Sequence, residues 1–137
     1  MIANKCLTQG DCVRACITSL LGLNPLMAPD FFEDDRHAIE AWNMVGAFLK
    51  PHKLAIAHFG IPAFDMTFAD VVEALGISNP GINIMLTGLG AGGRNHMVIV
   101  RDGSMVHDPS WSNTGLVGPI PTEPPMWRMS VLTPLLG

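Results

Sequence analysis

The stretch from Gly10 to Gly22 predicts one buried helix with a cysteine in its first turn, and this helix constrains the fold more than any other segment. Asp11 is a residue type that caps helices, because its carboxylate can accept from the free amides that open a helix. Small and apolar residues follow at spacings of three and four, and Gly22 suits the left-handed conformation that ends many helices. We therefore expect a mostly buried helix that begins at Cys12 and stops before Gly22.

Cys12 is the first candidate for chemistry. A thiol at a helix N-terminus feels the positive end of the helix dipole, which favours the thiolate and predicts a lowered pKa. A small cysteine buried on a helix more often serves only as packing, and Cys16, one turn further along, is assigned to packing. The interpretation of Cys12 as a nucleophile therefore depends on a partner base elsewhere in the chain.

Length and composition predict one globular domain spanning residues 1–137. The chain has 137 residues, of which 48% are hydrophobic and 15% charged, with a formal net charge of −4. This length suffices for one core and is too short for two, and the high hydrophobic content argues against disorder. The negative charge and scattered basic residues argue against nucleic acid as a partner. Surplus apolar surface is compatible with a homodimer.

The sequence also predicts the compartment of the protein and whether it uses a metal or another cofactor. No apolar run approaches the roughly 18 residues of a membrane span, and the first residues lack the pattern of a secretory signal, so no membrane contact is expected. Three cysteines, an odd number, argue against a disulfide framework and favour the cytoplasm. Their spacing does not match a zinc site, and the glycine-rich stretch 88–93 lacks the lysine of a phosphate loop. Neither a metal nor another cofactor is predicted.

Beyond the first helix, the pattern predicts two more helices and then an antiparallel sheet. The helices are expected over 30–50 and from Thr67 to Gly76, where Thr67 and Asp70 form a capping box. Strands are expected over 53–59, 82–86, 96–100, 104–108 and 126–132. This order predicts an α+β fold in which the N-terminal core helix packs on the sheet, with the helices on one face.

His96 is the histidine best placed to act with Cys12. It opens the most apolar strand, directly after the glycine-rich stretch. If residues 101–103 form a three-residue loop, His96 pairs with Asp108 across the hairpin, close enough for the carboxylate to hold the imidazole. This register also stacks valines 98, 100 and 106 on one face, which is why we favour it. A two-residue turn at 102–103 would instead place His96 opposite Pro109.

The order cysteine, histidine, acid resembles the papain-like cysteine peptidase superfamily in a small single-domain form. The blocks 10–22, 96–98, 106–110 and 115–116 are similar to a group of short, largely uncharacterised proteins of bacteriophages and bacteria. The resemblance extends from Lys5 to Leu116. It implies a hydrolase or acyltransferase acting on a protein or peptide through a thioester, with Cys12 as nucleophile, His96 as base and Asp108 as the orienting residue. Peptidase, amidase and transglutaminase-like outcomes share this first step.

One position departs from the pattern of that superfamily. Where its members place a glutamine, six residues before the cysteine, this chain has Cys6. Gln9 is the nearest substitute as an oxyanion donor, together with the Cys12 amide. Cys6 also raises the alternative of a reversible disulfide with Cys12. A further alternative is a non-catalytic binding protein that keeps this fold and engages a host or virion protein.

Overall fold

The computed structural model describes residues 1–136, which form three α-helices and a six-stranded antiparallel sheet. The helices are α1 (Cys12–Leu21), α2 (Ala38–Leu49) and α3 (Phe68–Ser78). The strands are β1 (Leu54–Pro62), β2 (Ile84–Gly90), β3 (Asn95–Arg101), β4 (Ser104–His107), β5 (Leu116–Gly118) and β6 (Met126–Pro134). The predicted α+β class is confirmed.

The strand order in the sheet is β1, β6, β2, β3, β4, and β5 pairs with the end of β2. β6 comes last in the chain but lies between β1 and β2, so the chain end pairs with both an early and a middle strand. Such pairing joins residues far apart in sequence and carries no local signal. Of the strands, β3 is the one that lies beside α1 in the described part of the chain.

Helices cover both faces of the sheet. α1 and α2 share a buried cluster with Met85, Met97 and Ile99, so the N-terminal helix packs on the sheet as predicted. α3 packs with the alternating neighbours Leu86 and Val98, which point to the opposite face. The prediction of helices on one face is therefore right for α1 and α2 and wrong for α3.

The predicted C-terminal end of α1 at Gly22 is confirmed. Gly22 has a φ of 70°, and the amides of Gly22 and Leu23 donate to the carbonyls of Ser19 and Thr18. These bonds satisfy the carbonyls that a helix end leaves free.

Within the described residues, no helix combines the length and the hydrophobicity required to cross a bilayer.

The predicted boundaries of α2 and α3 need correction. α2 begins at Ala38, eight residues later than predicted. Asp34 and Asp35 adopt left-handed φ values of 51° and 54°, which a continuous helix does not allow. The imidazole of His37 then caps the helix by accepting a hydrogen bond from the Ile39 amide. α3 has the predicted capping box but continues past Gly76 to Ser78. A Cβ at Gly76 would collide with the backbone of the β3–β4 turn, so this glycine serves close packing instead of ending the helix.

The predicted strands are all present, but most are longer than expected. β2 extends into the glycine-rich stretch as far as Gly90, which leaves only residues 91–94 as the connection to β3. β5 was not predicted, because its three residues lie in a segment without a strand pattern. The short connection places the start of β3 beside the first turn of α1.

Candidate active site

Cys12 is the first residue of α1, as predicted, but Asp11 does not cap the helix with its side chain. Its carboxylate is bound by the Arg14 guanidinium, with Nε–Oδ1 and Nη2–Oδ2 distances of 2.8 and 3.0 Å. It also accepts from the Leu7 amide at 3.0 Å. Asp11 and Arg14 are both buried. The aspartate therefore anchors the segment before Cys12 and leaves the first amides of α1 without a side-chain cap.

The pKa of the Cys12 thiol is raised, which contradicts the predicted lowering. Burial disfavours the thiolate, and the Asp11 carboxylate adds to this effect. Hydrogen bonds from the amides of Met97, Cys12 and Val13 act in the opposite direction without outweighing burial. Cys12 is therefore a protonated thiol at neutral pH and needs a base before it can act as a nucleophile.

His96 and Asp108 form the predicted pair. His96 Nε2 lies 2.7 Å from Asp108 Oδ1, and Asp108 is 2% exposed. The Asp108 carboxylate also accepts from the amides of Ser110 and Gly115 at 2.9 and 2.8 Å. Burial acts to raise the pKa of Asp108, but the bonds from His96 and the two amides together hold this pKa below its ordinary value of 3.8. The carboxylate is ionised and fixed, and among residues 1–136 the Nδ1 atom of His96 has no hydrogen-bond partner.

The hairpin register behind this pair differs from the predicted one. The turn has two residues, Asp102 and Gly103, with φ values of 51° and 83°, and Arg101 pairs with Ser104. A bulge then shifts the register so that Ile99 pairs with His107. β4 ends there, and Asp108 reaches His96 from the loop that follows. The predicted contact is present, but the predicted three-residue loop is wrong.

Cys12, His96 and Gln9 line one cavity of about 430 Å³. No hydrogen bond joins Cys12 to His96 among residues 1–136, and Gln9 is exposed without a hydrogen bond of its own side chain. Arg94 and Trp111, which is 75% exposed, line the same cavity. The structure thus brings the four predicted residues to one site, with His96 and Asp108 in direct contact.

Residues 5 and 6 of the N-terminal segment form hydrogen bonds with the loop that carries Asp108. Lys5 Nζ donates to the carbonyls of Asp108 and Ser110 at 2.8 and 2.9 Å. The Cys6 amide donates to the Pro109 carbonyl, and the Trp111 indole donates back to the Cys6 carbonyl at 3.0 Å. These contacts were not foreseen, because they join residues about a hundred positions apart. Their effect is to hold Asp108 in place from outside the hairpin.

All three cysteines are free. Cys6 lines the cavity beside Cys12, and burial, followed by the neighbouring Cys12 and Asp11, raises the pKa of Cys6 to about 12. Cys16 is fully buried, donates to the Met97 carbonyl at 3.6 Å, and has a pKa raised well above the ordinary value by burial. Within the described residues, no group of histidine, cysteine and acidic side chains is arranged to hold a metal ion.

Sequence reasoning missed two polar residues near Cys12. Arg128 and Thr87 lie opposite each other on β6 and β2 and line a second cavity, which also contacts Cys12 and His96. The available signal was a charged residue in the middle of a predicted apolar strand.

Comparison of the chain with protein-family models, with curated proteins and with solved structures finds no match.

Proposed function

We propose that the protein is a papain-like cysteine hydrolase or acyltransferase that acts on a protein or peptide through a thioester at Cys12. The observation that carries this proposal is that His96, held by the buried Asp108 carboxylate, lines one cavity with a thiol at a helix N-terminus. A histidine fixed by a carboxylate is a base that can activate a nearby thiol. Three free thiols favour a reducing compartment, so we place the protein in the cytoplasm, or that of a host if a phage encodes it.

The first step follows from the protonated state of Cys12. As Sγ attacks the substrate carbonyl carbon, a C–S bond forms, the thiol proton moves to Nδ1 of His96, and the carbonyl electrons move to oxygen. Hydrogen bonds between catalytic groups are often long in a free enzyme and shorten when substrate binds, so the unbound state does not require a Cys12–His96 bond. Asp108 stabilises the imidazolium formed in this step.

The remaining steps return the protein to its starting state. The C–N bond of the substrate breaks while His96 gives its proton to the leaving amine, which yields the thioester. Water or an acceptor amine then attacks the thioester as His96 takes its proton, the C–S bond breaks, and His96 returns the proton to Sγ, which restores the Cys12 thiol. The Cys12 amide and the side chain of Gln9 are our candidates for stabilising the oxyanion.

Selective labelling tests this proposal by comparing Cys12 with a second thiol of the same helix. At neutral pH, we expect iodoacetamide to modify Cys12 well before Cys16 and to lose this preference in H96A, because Cys12, unlike Cys16, shares a cavity with His96. Peptide mapping by mass spectrometry measures the two rates, and a C12S variant confirms the assignment. If Cys12 is no more reactive than Cys16, the proposed chemistry is wrong.

The second candidate function is a non-catalytic binding protein that engages a host or virion protein. Two observations favour it, namely the raised pKa of Cys12 and the absence of a hydrogen bond from the Gln9 side chain among the described residues. The exposed Trp111 at the rim of the cavity would then serve as a contact for the partner. Equal reactivity of Cys12 and Cys16 would support this function.

A further inference from the structure

A second cavity of about 260 Å³ lies beside Cys12 and shares Cys12 and His96 with the first. Part of its wall is apolar and includes Phe32 and Trp42. The polar side chains of Thr87 and Arg128 complete it. A substrate whose reacting bond lies at Cys12 can therefore extend into both cavities.

Arg128 brings a positive charge to this cavity without an anionic partner. Its guanidinium makes no hydrogen bond and no ion pair with any of residues 1–136, and its Nε is buried. The Trp42 ring lies 5.5 Å from Cζ and covers one side of the guanidinium. The Arg128 side chain is partly buried, and leaving a buried N–H donor without a partner costs free energy, so a side chain in this state is suited to a bound anion.

Thr87 gives a second, independent indication of a ligand. It is 2% exposed, and its Oγ1 is buried without a hydrogen-bond partner. Thr87 pairs with Arg128 on one side and Met97 on the other, so the three side chains point to the face that carries α1. A buried hydroxyl left unpaired costs free energy, and a ligand oxygen in the cavity would satisfy it.

We propose that this second cavity binds a carboxylate of the substrate beside the bond that Cys12 attacks, a specificity that rests on the function proposed above. The planar guanidinium offers two parallel N–H donors to a carboxylate, and the Thr87 hydroxyl offers a third. Among residues 1–136, Arg128 is the one arginine or lysine in the wall of this cavity. One positive charge neutralises a carboxylate fully, whereas a doubly charged phosphate would keep an uncompensated charge.

The test compares two alkylating reagents of similar size at Cys12. Iodoacetate carries a carboxylate and iodoacetamide does not, while both form the same C–S bond as iodide leaves. We expect the ratio of the iodoacetate rate to the iodoacetamide rate to fall about tenfold in R128Q, as for loss of a charge-assisted hydrogen bond. Loss of the nearby charge also disfavours the thiolate, but this slows both reagents, so the ratio isolates carboxylate binding.

Three control variants show whether a change in the rate ratio is specific to this cavity. R101Q changes an exposed arginine at the far end of β3 and should keep the wild-type ratio. R128K keeps the charge and should retain part of the preference, and T87V should lower the ratio by a smaller factor than R128Q. An unchanged ratio in R128Q would overturn the proposal.

Two further experiments distinguish a failure of this proposal from a failure of the proposed function. They also show which kind of carboxylate the cavity binds. If Cys12 reacts with neither reagent, the proposed function fails, and thermal unfolding with added acetate still tests the cavity. Stabilisation of wild type but not R128Q then supports anion binding, and no difference overturns it. If Cys12 reacts, protection by acetyl-aspartyl amide indicates an acidic side chain, protection by acetylglycine indicates a chain terminus, and protection by neither overturns the proposal.

Discussion

Replacing Asp108 with alanine is expected to lower the free energy of unfolding by about 2–4 kcal/mol, because it removes a buried carboxylate that accepts hydrogen bonds from three groups. The change removes the partner of His96 Nε2 and of the amides of Ser110 and Gly115. Urea denaturation measures the effect. The matched control is E73A on the exposed face of α3, which should change stability by less than about 0.5 kcal/mol.

Acid provides a second readout of the same variant. The pKa of Asp108 is lower in the folded protein than its ordinary value of 3.8, so its contribution is fully present above about pH 5. It is lost as the pH falls through the lowered pKa. The stability difference between wild type and D108A should therefore shrink below about pH 4. A difference that does not change with pH would contradict the hydrogen-bonded, ionised state of Asp108.

Replacing Arg14 with alanine is the second change with a large expected effect, about 3–5 kcal/mol. Arg14 and Asp11 are 8% and 1% exposed, so the variant would leave the Asp11 charge buried without its partner. Because Asp11 also holds the Leu7 amide, the segment that carries Gln9 should loosen as well. Urea denaturation measures stability, and hydrogen exchange of residues 5–11 measures the loosening.

The double variant D11A/R14A separates the buried charge from general loss of packing. It removes both partners, and we expect it to be more stable than R14A because no unpaired charge is left inside. If R14A costs less than about 1 kcal/mol, the pair behaves as an exposed ion pair does, and this account of the Cys12 segment is wrong.

Local signals explain which parts of the fold could be predicted. α1 was predicted with its correct ends because Gly22 and the apolar spacing act within a few residues. The start of α2 was wrong because left-handed φ at Asp34 and Asp35 is not encoded by a strong turn signal. Gly76 did not end α3 because tertiary packing against the hairpin turn determined its role. Tertiary contacts therefore decided the boundaries that local patterns left ambiguous.

In the candidate site, too, local patterns predicted some features and distant contacts determined the others. The contact between His96 and Asp108 was predicted, although the register used to derive it was wrong, because the carboxylate reaches the imidazole from beyond the end of β4. The direction of the Cys12 pKa was wrong, since the helix N-terminus was visible in the sequence but the extent of burial was not. Lys5 and Arg128 could not be assigned, because their positions depend on distant strands and loops.

The dependence of Cys12 alkylation on pH, in wild type and in H96A, tests the central claim most directly. If His96 is the base for Cys12, wild type should react with iodoacetamide near neutral pH, and H96A should react about 10²–10⁴ times more slowly there. The rate in H96A should rise only at alkaline pH, where the buried thiol ionises without help. Superimposable profiles for the two proteins would contradict the account.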